Sequence, residues 1–107
     1  MGQSRIETFI GFSIKAGKIS LGSGAIDTLK GGVFLLIVSA DAAKNTQKLA
    51  IKYKNRFHCP LLICKSEFER IVNKPDCKLA AIRDRQLAKA IIDSTDQNFE
   101  LYAGGNT

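Results

Sequence analysis

Val33-Phe34-Leu35-Leu36-Ile37-Val38 is an unbroken apolar run, preceded by Gly31-Gly32 and followed by Ser39-Ala40-Asp41. A strand with one face in water carries a polar residue at every second position, whereas a strand covered on both faces carries none. The run therefore predicts a strand buried between two layers, and the rest of the chain has to supply helices for both faces. The stretch Gly31 to Thr46 that contains it ends in small and polar residues able to open a helix. Ser39-Ala40-Asp41 stands at the strand's carboxyl end, where α/β sheets place their crevices.

The flanking segments match that demand. Ile6, Phe9, Ile10 and Ile14 recur at three- and four-residue steps and predict an amphipathic helix with Gly17 as its C-terminal cap. Ile19-Ser20-Leu21 is long enough only for a short edge strand. Gly22-Ser23-Gly24 breaks it, and Ser23 is placed to cap a second helix with Ala25, Ile26 and Leu29 on one face. After the central run, Leu49, Ala50, Tyr53 and Phe57 form the inward stripe of a longer helix, with Asp41 as its expected cap. Lys44, Lys48, Lys52, Lys54 and Arg56 line its other face, a pattern that ordinarily marks a solvated face. Pro60 opens a second apolar strand, Leu61 to Cys64, at the one position where its missing N–H is tolerated. Ser66 and Glu69 have capping-box spacing ahead of a helix with Phe68, Ile71 and Val72 facing in, which must stop near Asn73-Lys74-Pro75. Leu79 to Ile82 reads as a last strand, and Asp84 caps a final helix carrying Leu87, Ala88, Ile91 and Ile92.

Residues 1–93 are thus expected to form a single α/β domain, a mixed sheet of about four strands between helical layers. Residues 94–107 are expected to be a polar, partly ordered tail with one apolar cluster, Phe99, Leu101 and Tyr102.

Charge narrows the partners. Sixteen Lys and Arg against ten Asp and Glu leave a net charge of +6, which on a small chain suits a polyanion such as nucleic acid. The same excess also keeps a small protein soluble, so charge alone does not separate the two. No run of about 18 apolar residues exists to span a membrane. The first residues lack the zones of a signal peptide, and Ile6 spoils the myristoylation pattern begun by Met1-Gly2. A cytoplasmic protein with Cys59, Cys64 and Cys77 as reduced thiols is the expectation.

Chemistry-bearing constellations are few. His58 is the only histidine, in a turn, with no nucleophile at an elbow spacing, so it reads as a solvated or capping residue. His58, Cys59, Cys64 and Cys77 would make four zinc ligands by type, but the odd separation of Cys59 and Cys64 points them to opposite faces of a strand. No metal, cofactor or catalytic residue is expected. Gly22-Ser23-Gly24 opening a helix has the free N–H groups to cradle a phosphate, although it matches neither a dinucleotide fingerprint nor a P-loop. Lys15 and Lys18 precede that turn and Lys30 follows its helix, adding cations of the kind an RNA backbone uses. The loop Val72-Asn73-Lys74-Pro75-Asp76-Cys77-Lys78 has an apolar shoulder, Ile71 and Val72. If it lies beside the Gly22 turn, the pair forms a basic rim with a patch for unstacked bases.

Lys15-Ala16-Gly17-Lys18, Gly22 at a helix start, Leu36 through Ala42, Lys44-Asn45-Thr46 and Cys59-Pro60 together resemble the kink-turn-binding ribosomal proteins of the L-seven-Ae and L-thirty-e superfamily. The likeness is nearest to the bacterial YlxQ branch and spans residues 5 to 92. It implies a three-layer α/β/α sandwich of L-thirty-e type, no enzymatic activity, and binding to a kinked RNA helix with tandem G·A pairs. It also implies that Gly22, Ser23, Gly24 and Ala25 face the G·A guanines, and that the loop of Val72, Asn73, Lys74, Asp76 and Lys78 packs on an extruded base. The family carries an Asn-Glu or similar polar pair at the helix start. Ser23-Gly24-Ala25 lacks those amides and carboxylates, and each readout contact of that kind is worth about 1–3 kcal/mol in DNA complexes.

The expected protein is therefore a monomeric, non-catalytic binder of structured RNA, ribosomal RNA included. The alternative is a protein-interaction module of the translation apparatus that has lost kink-turn reading. A nucleotide-binding enzyme built on Asp41 lacks an accompanying base, nucleophile or metal cluster.

Overall fold

The computed structural model describes residues 5–103. Helices and strands alternate throughout: α1 (Arg5–Lys15), β1 (Ile19–Leu21), α2 (Ser23–Asp27), β2 (Leu35–Ser39), α3 (Lys44–Phe57), β3 (Leu61–Cys64), α4 (Phe68–Val72), β4 (Leu79–Ile82), α5 (Arg85–Asp93) and β5 (Phe99–Leu101). The strands form one sheet in the order β1-β4-β2-β3-β5. Only β2 and β3 are parallel; the remaining pairs are antiparallel.

Every residue of β2 is buried. Leu35 and Ile37 project into a layer formed by α1, α4 and α5, where they meet Ile6, Ile10, Phe68 and Ile91. Leu36 and Val38 project the other way, onto Ile26 of α2 and Ala50 and Tyr53 of α3. The expected three-layer α/β/α sandwich is thus the observed architecture, with β2 at its centre between β4 and β3. The two apolar sets alternate along β2, β3 and β4, as a pleated strand covered on both faces requires.

Several local expectations are corrected. The sheet has five strands rather than four. The fifth comes from the segment read as a tail: β5 pairs with β3, and Phe99, only 4% exposed, fills a gap in the α1/α4/α5 layer. Burial of Phe99, hydrogen bonding to β3 and the packing of Tyr102 on the opposite face together hold this short edge strand. Residues 104–107 of that tail, and residues 1–4 with the Met1-Gly2 pattern, lie outside the described residues.

Strand β2 begins at Leu35, two residues into the apolar run, because Gly32 turns the chain at φ +74 before it. It ends on Ser39, a buried residue whose hydroxyl donates to Asp41. On α1 the buried stripe is Ile6, Ile10 and Ser13, while Ile14 faces outward with Phe12. Ser13 tolerates burial because its hydroxyl donates to the Phe9 carbonyl at 2.9 Å. Ala25 is likewise exposed, leaving Ile26 as the buried residue of α2.

Local caps divide. Gly17 takes φ +68 after α1, and Asp84 accepts the Leu87 N–H at 2.9 Å to cap α5, both as expected. His58 is the left-handed C-cap of α3, its N–H reaching the Lys54 carbonyl. Ser23, Asp41 and Ser66 do not cap: the N-cap positions of α2, α3 and α4 are Gly22, Ala43 and Glu67, none with a side-chain cap bond. No helix among the described residues is long and apolar enough to cross a membrane.

The two-sided burial makes a direct prediction for stability. Ile37→Ala is expected to lower unfolding free energy by about 2–5 kcal/mol in urea titrations. Phe12→Ala, at a 51% exposed position that keeps an edge contact with the Phe9 ring, should change it by no more than about 1.5 kcal/mol.

Candidate nucleic-acid interface

Strands β1 and β2 end, and β4 begins, at one edge of the sandwich. There Gly22 adopts φ 89 and ψ 155, backbone angles that glycine alone takes without strain. Its N–H donates to the Leu79 carbonyl at 2.8 Å, which ties the turn before α2 to the start of β4. The loop that leads into β4 is therefore drawn to the same place. Gly22, Ser23, Thr46, Asp76, Lys78 and Leu79 line a shallow cleft of about 210 Å³. The two segments that the sequence marks separately, the Gly22 turn and the Val72 to Lys78 loop, are adjacent.

The loop is held by an ion network that local sequence patterns conceal. Asn73 and Asp76 both take left-handed angles, φ 56 and φ 63, and the Cys77 N–H donates to the Lys74 carbonyl at 3.3 Å. Glu69 of α4 accepts the Asp76 N–H at 3.0 Å and lies 3.2 Å from the Lys78 ammonium. That ammonium also reaches Asp41 Oδ1 and Oδ2 at 3.1 and 3.3 Å. Asp41 is completed by the Ser39 hydroxyl. One cation thus joins the end of β2, the helix α4 and the start of β4.

The charges respond accordingly. The Ser39 hydroxyl, then the Lys78 ammonium, hold the Asp41 carboxyl below its ordinary value. Asp41, then Glu69, hold the Lys78 ammonium above its own. Lys78 is therefore already neutralised by two carboxylates and acts as the clasp of the loop. The capping-box spacing of Ser66 and Glu69 masked this role, because Glu69 points forward to the loop instead of back to the helix start.

The remaining candidates divide between surfaces. Val72 is corrected from base-facing shoulder to core: it is 3% exposed and packs in the α1/α4/α5 layer. Ile71 is half-buried and, with Phe12, Lys15, Arg70 and Glu7, lines a separate groove between α1 and α4. Asn73 and Lys74 are exposed on the loop, and Gly24 and Ala25 are exposed on α2. Lys18 and Lys30 are not beside the Gly22 turn. Lys18 precedes β1 and its carbonyl accepts the Arg83 N–H, whereas Gly22 follows β1 at the Leu79 end, so the two occupy opposite ends of the β1/β4 pair. Lys30 enters β2 at the Lys18 end.

Lys44 and Lys48 lie on the first two turns of α3 and make no ion pair with a described residue; of this helix only Thr46 lines the cleft, and Lys48 lines a separate shallow groove with Asn45, Leu49 and Lys52. The first turn of α3 carries no acidic residue. A helix start without an acidic side chain and with two lysines favours an anion.

The cysteines lie apart from this surface chemistry. Cys59 packs in the α2/α3 layer and Cys64 and Cys77 in the opposite one, so the sheet prevents one ion from collecting all three. Burial pushes the Cys59 thiol up to about 11 and raises the other two as well. Cys77 sits directly behind the cleft, its thiol against the Leu79 carbonyl at 3.5 Å.

No protein-family model and no curated protein matches the chain. Among solved structures, a protein of unknown function from Bacillus halodurans is similar to it, with a TM-score of 0.71 at 16% identity. The match covers 85% of this chain and 96% of that one. At such low identity the likeness speaks for the shared fold.

The ion network predicts a pH signature for Lys78→Ala, read as the gap in thermal midpoint between variant and wild type. Asp41 is lowered, so its share of stability is present above the ordinary carboxylate value and is lost as pH falls through the lowered one. Lys78 is raised, so its share is present below the ordinary lysine value and is lost as pH rises through the raised one. The variant should melt below wild type across neutral pH, and the gap should close at both the acid and the alkaline extreme.

Proposed function

We propose that the protein is a non-catalytic RNA-binding protein of ribosomal-protein type that docks on structured RNA with the edge of the sandwich around Gly22. The observation that carries this reading is the cleft itself. A glycine turn, the start of a lysine-bearing helix and a clasped loop converge there from three distant parts of the chain. Gly24 is exposed beside the Gly22 turn and brings no side chain to block the approach of a phosphate, while Lys44, Lys48 and Lys74 supply cations without competing carboxylates in ion pairs. Lys78, Asp41 and Glu69 keep the loop in shape before binding, which lowers the ordering cost of association.

The resemblance to kink-turn binders supplies the class of RNA, a helix kinked at tandem G·A pairs. Ser23, Gly24 and Ala25 present no amide or carboxylate to a guanine, so the preference rests on backbone shape more than on base edges. A protein-interaction role in the translation apparatus is the second reading. Its support is the groove between α1 and α4, where Phe12 is exposed beside Ile71.

Titrating the protein with a kink-turn RNA and with the same RNA carrying replaced G·A pairs, each at two salt concentrations, decides between them. The intact kink-turn should bind more tightly at both salts. Equal and steeply salt-dependent binding to both overturns the kink-turn preference. Absence of binding at either salt overturns the RNA reading in favour of the protein module. Lys74→Ala should weaken RNA binding severalfold while leaving the thermal midpoint in place, since Lys74 makes no ion pair with a described residue.

A further inference from the structure

The far end of the sheet gathers cations that the sequence scatters. Arg83 donates its N–H to the Lys18 carbonyl at 2.7 Å and its Nη2 to the Gly17 carbonyl at 2.6 Å, so Arg83 and Lys18 are neighbours across the β1/β4 end. The Phe34 N–H donates to the Ile82 carbonyl at 2.9 Å, and the Arg85 guanidinium carbon lies 5.2 Å from the centre of the Phe34 ring. Lys30 stands in the connection that enters β2 at this same end. Lys18, Lys30 and Arg85 are exposed and Arg83 is half-buried.

None of these four cations makes an ion pair with a described residue. The nearest acid in sequence, Asp84, caps α5 through the Leu87 N–H and forms no ion pair with any of the four, though its charge remains at this end. Asp27, at the end of α2, faces Arg56 at 3.4 Å and the Tyr53 hydroxyl at 3.3 Å. Arg83 is fixed by a neutral carbonyl, and its buried Nε has no hydrogen-bond partner. The contrast with the cleft is direct: there the cation Lys78 is matched by two carboxylates, while here four cations stand unmatched.

A surface that serves only solubility intersperses both signs. Like charges at one end of the sheet raise the local potential there and attract a polyanion. Arg85 carries a planar guanidinium that suits phosphate oxygens and lies over the Phe34 ring, whereas Arg83 adds charge with its guanidinium anchored on Gly17.

We propose that the end bearing Lys18, Lys30, Arg83 and Arg85 is a second RNA contact surface that takes the sugar–phosphate backbone regardless of base sequence. The choice of RNA as the polyanion rests on the function proposed above; the gathering of the charges does not. Lys18 and Gly22, which mark the two surfaces, flank β1 and are about 13 Å apart, four steps of roughly 3.3 Å. A folded RNA larger than a single kink therefore meets the protein at both ends of the sheet.

An unstructured twelve-nucleotide oligouridine tests this, because it contains no G·A pairs and no kink. Its binding is measured by fluorescence anisotropy from 50 to 200 mM salt, for wild type and for Lys18→Gln/Lys30→Gln/Arg85→Gln; Arg83 is retained because it holds Gly17. The triple variant should bind at least ~10-fold more weakly at low salt. Its slope of log affinity against log salt should be flatter by about 2, three phosphates at roughly 0.7 each. An unchanged slope and affinity overturns the proposal, as does failure of wild type to bind oligouridine at the lowest salt. A fall in the triple variant's thermal midpoint moves the comparison to Lys18→Gln/Lys30→Gln, where a slope flatter by about 1.4 is expected and an unchanged slope is again fatal. Loss of G·A discrimination by wild type, with the oligouridine result intact, removes the cleft reading and leaves this one standing.

Discussion

Everything in this sandwich depends on burying β2 on both faces. An apolar strand in the middle of a sheet has no polar side to offer water, so layers of helix must cover it from above and below. The chain meets this with α2 and α3 on one face and α1, α4 and α5 on the other. Once those layers are in place, the connections have only two destinations, the two ends of the sheet. The functional candidates lie on loops at those ends or on helix surfaces next to them.

The ends have opposite electrostatic character. Where β2 finishes, carboxylates from two different elements converge on Lys78 and hold the loop before β4 in one shape. Where β2 starts, Arg56 is paired with Asp27, but Lys18, Lys30, Arg83 and Arg85 have no acidic partners among the described residues. The first arrangement fixes the shape of a loop, and the second leaves positive charge without local ion pairs. A protein with both has a shaped site at one end and an electrostatic one at the other. That combination underlies the proposal of a partner carrying its charge along a folded backbone.

How far local pattern is readable depends on whether a residue's partner is local. Asp84 caps its own helix, and Gly17 turns its own chain, so both were evident from neighbouring residues. Ser66 with Glu69 and Asp41 before α3 show equally good local patterns, yet they do not cap. Glu69 and Asp41 find a cation, Lys78, delivered by a strand from elsewhere in the chain, and a charged hydrogen bond outcompetes a neutral cap. Phe99 is the same lesson in apolar terms. Its short segment lacks the periodicity of a strand, and only the open edge of β3 gives it a partner.

The sequence by itself determined the class of the fold, because an apolar run without alternation admits only a strand covered on both sides and the flanking residues have helical periods. It also singled out Gly22 and the Asn73 to Lys78 loop, since glycine, proline and capping residues act over a few neighbours. Only the tertiary structure decided that these two segments share a cleft, that Lys78 is a clasp, and that Lys18 and Lys30 stand with Arg83 and Arg85 at the opposite end. Those facts follow from strand order and direction. The β1-β4-β2-β3-β5 arrangement depends on which strands pair across long separations, and spacing along one chain carries no record of that choice.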